Sequence, residues 1–321
     1  MPLPALSLQK DTTQDSEAIS PAPYPMWKAR LHTMLSRLAG SPSAHRVFSA
    51  MLLLGAPAIG VYAYFVEPTW LQVRRLTIRI KGLPPSLDGF RLVQLSDLHV
   101  GSTVPQWFLR KVINTVQALE PDLIVLTGDY VHTRPDDVAE ITTLLRPLRA
   151  PTGVFAVLGN HDYAANYPGD VGLPGVEDMV IAALQRTDIQ VLRNEWLPVG
   201  GGKHPLSLFG IDELWSRRAR VAPLDDLPSA SPRLVLCHNP DIAPFLTGRH
   251  FDLLLCGHTH GGQVRVPPFP PFVTATRNRR FWGGLFPLGQ GNMFVSRGIG
   301  YTWRARLASR PECVEITLTG Q

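Results

Sequence analysis

The sequence predicts an α/β domain built on parallel strands, behind an N-terminal segment suited to a membrane. Three observations carry that prediction. Short apolar runs alternate with amphipathic helical periods between residues 91 and 158, the pattern of consecutive βαβ units. Each of these runs ends in Asp, Asn or His, and in such sheets ligands gather at the carboxyl ends of the strands. Val47–Val66 is a run of 20 residues without a charge, long enough to cross a hydrocarbon layer roughly 30 Å thick.

With 321 residues and 45% hydrophobic content, the chain can bury one large core or two small ones, and no internal repeat is visible. The formal net charge of +5 favours anionic partners such as phosphate or lipid headgroups. No dense basic stripe tracks a nucleic-acid backbone, so nucleic acid is not an expected partner. Cys237, Cys256 and Cys313 form no zinc-ligand spacing, and their odd number argues against a complete disulfide framework. Cys237 and Cys256 each end an apolar run and read as small core residues.

Residues 1–46 read as a polar, disordered tail followed by a basic amphipathic segment. In that segment Trp27, Leu31, Met34, Leu35 and Leu38 recur at helical spacing. It suits a membrane surface or the face of the domain. The run over 47–66 is broken only by glycines and Pro57, which membrane helices tolerate, and it starts too late for a cleaved signal peptide. It reads as an uncleaved signal-anchor with Tyr62, Tyr64 and Trp70 near an interface. Basic residues flank it on both sides, Lys28, Arg30, Arg37 and Arg46 before and Arg74, Arg75, Arg79 and Lys81 after, so either orientation stays open.

The folded domain is expected over residues 72–321. Gln72–Ile80 alternates apolar with basic residues and reads as an edge strand. Arg91–Ser96 is a second strand and delivers Asp97-Leu98-His99. A helix over Pro105–Leu119 precedes the apolar run Asp122–Thr127, which ends in Gly128-Asp129. A helix over Pro135–Leu148 leads to the strand Gly153–Leu158 and to Gly159-Asn160-His161-Asp162. Tyr163–Pro232 is richer in Gly and Pro and reads as elaborations over the site, with a helix at Val176–Gln185 and a strand at Leu206–Ile211. Asp212 and Glu213, after that strand, are expected outside any metal shell. Arg233–Cys237 ends in His238, and Phe251–Cys256 ends in Gly257-His258-Thr259-His260-Gly261-Gly262. Asn292–Ser296 and Cys313–Leu318 read as closing strands.

In an extended backbone residues i and i+2 point to one side, so Asp97 with His99, and His258 with His260, are expected to leave their strands together. Oxygen and imidazole ligands without thiolate suit Mn, Fe or Zn in a reactive site rather than a structural zinc knot. A lone His-X-His is usually ordinary loop surface. The ordered set is what gives it weight.

Asp97-Leu98-His99, Gly128-Asp129, Gly159-Asn160-His161-Asp162, His238 and Gly257-His258-Thr259-His260, in that order, resemble the five blocks of the calcineurin-like metallophosphoesterases, over about Leu76–Leu318. Ser296-Arg297-Gly298 and Arg310-Pro311-Glu312, with the membrane segment, resemble the membrane-associated bacterial phosphodiesterase branch. Some of that branch are UDP-2,3-diacylglucosamine hydrolases of lipid A synthesis. The resemblance implies an αββα sandwich, two mixed β-sheets flanked by helices, and two divalent ions. Asp97, His99, Asp129 and His260 would hold one ion. Asp129, Asn160, His238 and His258 would hold the other, with Asp129 bridging.

By the same resemblance a metal-bound hydroxide attacks a phosphodiester or pyrophosphate, His161 faces the leaving group, and Asp162 orients a neighbouring imidazole. Arg277, Arg279 and Arg280 form a basic loop that either grips a diphosphate or headgroup or stays solvated. A lipid-linked nucleotide is the leading substrate, and the implied setting is a single-pass monomer in the cytoplasmic membrane. A general phosphodiesterase or nuclease of the same fold is the alternative enzyme. A non-catalytic scaffold is the alternative of another class.

Overall fold

The computed structural model describes residue 53 and residues 55–101, 103–132, 137–200, 202 and 205–320. The chain divides into two units, Met1–Ala58 and Ile59–Gln321. Of the first, residues 53 and 55–58 are described and are helical. The expected tail, the amphipathic segment and residues 47–52 of the expected span lie outside the described residues. The second unit begins with helical residues 59–61, a wide helical turn over Tyr62–Val66 and a 3-10 turn over Glu67–Thr69, where Pro68 has no N–H to continue a helix. Among the described residues no helix is long and apolar enough to cross a membrane.

In chain order the domain runs β1 (Gln72–Ile80), β2 (Arg91–Leu95), α1 (Gln106–Ala118), β3 (Leu123–Thr127), α2 (Val138–Leu145), β4 (Val154–Val157), α3 (Val176–Gln185) and β5 (Ile189–Val191). It continues with β6 (Glu195–Val199), β7 (Leu206–Gly210), β8 (Arg233–Leu236), β9 (Leu253–Cys256), β10 (Gly284–Leu288), β11 (Gly291–Val295) and β12 (Glu312–Gly320). Two mixed sheets result, ordered β1-β12-β2-β3-β4-β5 and β10-β11-β9-β8-β7-β6. In the first, β2 to β5 are parallel and β12 runs against β2. In the second, β7, β8, β9 and β11 are parallel between antiparallel edges β6 and β10.

The strand β3 shows why the sheets stack. Its sequence, LIVLT, is buried throughout, as a strand covered on both faces must be. Leu123 and Val125 join Leu92, Phe155 and Val157 against Leu208, Leu234, Leu236, Leu253 and Leu255 of the other sheet. Ile124 and Leu126 face the opposite way, onto Phe108, Leu109, Val112, Ile113 and Val116 of α1. The helical period of α1 is the reason those five side chains share one buried stripe.

Two mixed sheets with helices are found as expected, the α-helices packing on the first sheet. Among the described residues, the outer face of the second sheet is covered by 3-10 turns, Ala222–Asp226 and Pro240–Leu246, whose Leu224, Ile242 and Leu246 pack on Phe209, Val235 and Leu254. Pro244 inside the second turn cannot donate the hydrogen bond an α-helix needs there. Helix α2 ends at Leu145, short of the expected Leu148, and residues 135 and 136 of the expected helix lie outside the described residues. Strands β5, β6 and β10 were not anticipated. β6 and β10 carry Pro198 and Pro287, which edge strands tolerate because one side of the backbone is unpaired.

Candidate metal centre

The carboxyl ends of β2, β3, β4, β8 and β9 meet at one edge of the sandwich. Gln94 ties the two sheets there, its Nε2 donating to Thr127 Oγ1 (2.9 Å) and to Cys256 O (2.9 Å). Leaving the strands, five polar residues take left-handed backbone: Asp97 (φ 55°), His99 (49°), Asp129 (58°), His258 (72°) and His260 (51°). Each such residue costs on the order of 1–3 kcal/mol, a strain that persists only where the surroundings impose it. Here they do: Asp97 N donates to Gly128 O (2.9 Å), His99 N to Asp129 O (3.0 Å) and His258 N to Asp97 Oδ1 (3.0 Å). The extended i, i+2 geometry expected from the sequence is therefore corrected. The side chains are aimed by left-handed kinks, and His258 and His260 go to different groups.

One group is Asp97, His99 and His260; another is Asp129, His238 and His258; within each, the candidate ligand atoms lie within 4.8 Å of one another. His99 Nε2 and His260 Nε2 are 3.1 Å apart, and His260 Nε2 is 3.6 Å from Asp97 Oδ1. His258 Nδ1 is 3.2 Å from His238 Nε2. Asp129 Oδ2 belongs to both neighbourhoods, 3.1 Å from His238 Nε2 and 3.6 Å from His99 Nε2. Asn160 donates Nδ2 to Ala165 O (2.9 Å) and leaves a buried Oδ1 with no partner among the described residues. All seven residues are at most 6% exposed.

The electrostatics suit a cation. Burial drives His99 and His260 well below the usual imidazole range and His258 to about 3, so all three are neutral near pH 7, as a ligand must be. Burial also pulls on His238, but Asp129 overrides it and raises His238 to about 10. Burial pushes Asp97 up to about 6. Nitrogen–nitrogen contacts, an orphaned amide oxygen and a shared carboxylate make a donor set that fits divalent ions.

A raised His238 has a measurable consequence. In the metal-free protein its charged form contributes stability that is full below the unfolded value of 6.5 and is lost as pH rises through about 10. A bound metal must displace that proton. Between pH 7 and 9, above Asp97 and below His238, metal affinity is expected to rise about tenfold per pH unit, with proton release seen as a buffer-dependent heat of binding.

His238 Nδ1 donates to Thr127 O (2.7 Å) and His258 Nε2 to Ala275 O (3.3 Å), which turns His238 Nε2 and His258 Nδ1 inward. Asp162 does not orient an imidazole as expected. Its carboxylate accepts from the main-chain N–H of Gly159 (2.8 Å), Asp129 (2.9 Å) and Tyr130 (2.8 Å), clamping the turns after β3 and β4 together. His161 N donates to Asp129 Oδ1 (3.0 Å), and His161 Nδ1 donates to His132 O in a short bond, leaving Nε2 available.

Packing against the carboxylates is close. A Cβ at Gly159 would stand 2.2 Å from Asp129 Oδ1, and one at Gly257 would stand 1.9 Å from Ser96 Oγ and 2.5 Å from Asp97 Oδ2. Gly257→Ala is expected to cost about 1–3 kcal/mol in stability and to weaken metal binding by displacing Asp97. Chemical denaturation and metal titration check the two parts.

Asp129, Asn160, His161, His258 and His260 line a cavity of about 430 Å³, with Trp215, Gln263, Val273 and Trp303 on its walls. Arg277, Arg279 and Arg280 do not line it. Arg279 Nη2 donates to Phe272 O (2.7 Å), holding its own loop, and Arg277 lines a neighbouring cavity. Among the described residues Asp212 and Glu213 belong to none of the candidate metal groups. Asp212 accepts from Tyr163 Oη (2.6 Å) and Arg193 Nε (3.0 Å), and Glu213 Oε1 accepts from Trp215 N (2.8 Å).

Sequence reasoning missed His132, whose ring stacks on His161 at 5.5 Å and which groups with His99 and His161. Its position three residues after Asp129 was the available signal. Trp215, whose ring meets the edge of His258 at 4.6 Å, had none.

The pattern of the calcineurin-like phosphoesterase family matches residues 90–262, more than half of the chain. The chain belongs to that family and is a metallophosphoesterase, a hydrolase. It is 31% identical over 264 residues to Phosphodiesterase YaeI of Escherichia coli K12, covering 80% of this chain and 92% of the relative. To the UDP-2,3-diacylglucosamine pyrophosphatase LpxG of Chlamydia trachomatis it is 28% identical over 315 residues, covering 82% and 94%. To a zebrafish (Danio rerio) transmembrane protein with metallophosphoesterase domain it is 30% identical over 313 residues, covering 90% and 68%.

Proposed function

We propose that the chain is a dinuclear phosphoesterase, anchored to a membrane by residues 47–66, that hydrolyses a phosphodiester or pyrophosphate bond of a lipid-linked nucleotide. The observation that carries the reading is the convergence of both donor groups on Asp129. Asp97, His99, Asp129 and His260 would hold one ion; Asp129, Asn160, His238 and His258 would hold the other. Bound Mn, Fe or Zn would supply Lewis acidity toward the phosphoryl oxygens and lower the pKa of nearby water.

The chain's own residues supply the rest. Asp162 keeps Asp129 and the Asn160 turn in register through three main-chain hydrogen bonds. His161, fixed through Nδ1, presents Nε2 as donor to the leaving oxygen.

Support for the membrane comes from the charge-free run and from the relative named as a transmembrane protein. Exposed Tyr64 and Trp70 carry Arg304 and Arg310 over their rings at 5.2 and 4.1 Å, an arrangement suited to headgroups. Support for the nucleotide comes from the names of the LpxG relatives. The name of the E. coli relative favours a plain phosphodiesterase as second reading. A scaffold would not need a full set of buried, inward-facing ligand atoms.

The test is hydrolysis of UDP-2,3-diacylglucosamine, bis-p-nitrophenyl phosphate and p-nitrophenyl phosphate by the detergent-purified full chain with Mn²⁺. The expected result is metal-dependent cleavage with the UDP-lipid far ahead. Cleavage of the model diester alone moves the reading to the plain phosphodiesterase, and no cleavage at all overturns both.

A further inference from the structure

Beside the metal cavity lies a second one, of about 380 Å³, whose walls include Trp215, Arg217, Asp241, Phe245, Arg277 and Phe281. Trp215 is a wall of both cavities, and one loop passes from the first at Val273, Thr274 and Ala275 to the second at Arg277 and Asn278. The two spaces are therefore neighbours across a single indole that also touches His258.

The second cavity has its own chemistry. Among the described residues the guanidinium groups of Arg217 and Arg277 have no hydrogen-bond or ion-pair partner, as holds for several exposed arginines, but these two share one cavity. The cavity's one acid, Asp241, is already engaged, its carboxylate accepting from Arg277 N (2.8 Å) and Asn278 N (3.3 Å). Those bonds hold the Arg277 backbone in place. On the other wall, Glu213 fixes the turn that carries Arg217 by accepting from Trp215 N (2.8 Å) and, through its carbonyl, from Arg218 N (3.1 Å). Trp215, Phe245 and Phe281 add flat apolar surface to the same cavity.

We infer that this cavity is a substrate subsite for a nucleoside diphosphate group, the arginines taking the phosphate beyond the scissile bond and the aromatic side chains taking the base. Free guanidinium groups offer paired donors to phosphate oxygens, and aromatic faces suit a planar ring. A cavity of this size lies within the range of small-molecule sites. The inference rests on reading the Asp129 cavity as the phosphoesterase centre. It assigns a role to Arg277 and Arg217, and none to Arg279 or Arg280.

The test uses the Mn²⁺-loaded full chain in detergent, with bis-p-nitrophenyl phosphate as reporter and UDP and inorganic phosphate as competing inhibitors. Both arginines are exposed and unpartnered, so R217A/R277A keeps the fold. The variant is expected to raise the inhibition constant of UDP about tenfold or more relative to that of inorganic phosphate, which needs only the metal cavity. Equal changes for both inhibitors, or no change for UDP, would overturn the subsite while leaving the phosphoesterase reading intact. If the wild-type chain hydrolyses no phosphoester, the phosphoesterase reading fails. UDP binding by calorimetry then decides the subsite, supporting it if weakened in the variant and overturning it if not.

Discussion

Asp129→Asn is expected to reduce metal-dependent phosphoester hydrolysis on the order of 10³-fold or more while leaving a folded protein. The substitution is nearly isosteric, and its Oδ1 can still accept from His161 N, as the carboxylate does at 3.0 Å. What changes is charge. The amide turns an NH₂ toward His238 Nε2 and His99 Nε2, where the carboxylate oxygen stands at 3.1 and 3.6 Å. His238 loses the partner that holds its proton and reverts toward the lower pKa its burial favours. The shared anion needed by both donor groups is gone. Asp129→Ala confounds this, because it also removes the Oδ1 that accepts from His161 N and opens a cavity, at a cost of about 1–3 kcal/mol. Steady-state kinetics alongside thermal melts separate the two effects.

His161→Ala is the second large effect, and its size is expected to depend on the leaving group. A positioned acid contributes about 10²–10⁴-fold when the departing oxygen is basic. Nδ1 of His161 is committed to the carbonyl of His132, so Nε2 is the atom that can give a proton. p-Nitrophenolate leaves readily without help, so the variant is expected to lose least on bis-p-nitrophenyl phosphate and most on esters of alkyl alcohols. A plot of log kcat against leaving-group pKa should steepen in the variant. Parallel plots would assign His161 to positioning rather than proton transfer.

The site was legible in the sequence to the extent that chemistry is carried by residue type. Asp, His and Asn at the ends of apolar runs announce themselves: six of the seven candidates fall into two groups, and Asn160 lines the same cavity as Asp129. Their means of convergence was hidden, since left-handed backbone at Asp97, His99, Asp129, His258 and His260 is imposed by long-range hydrogen bonds. Asp162 shows the same limit: adjacent in sequence to His161, it serves the main chain of Gly159, Asp129 and Tyr130 instead of a ring.

The fold divides similarly. β3 and β9 are continuous apolar runs, and their burial on both faces follows from composition. β6 and β10 hold prolines and half-exposed side chains, so only pairing with β7 and β11 makes them strands. Trp215 and Arg217 sit in an irregular turn built by Glu213, and nothing local announces that it borders the site.

Two groups sharing Asp129 would hold two ions, and metal content reads that number directly. After loading with Mn²⁺ and removal of free metal, elemental analysis is expected to find two ions per wild-type chain and at most one in Asp129→Asn. One ion or none in the wild type, or two retained in the variant, would contradict it.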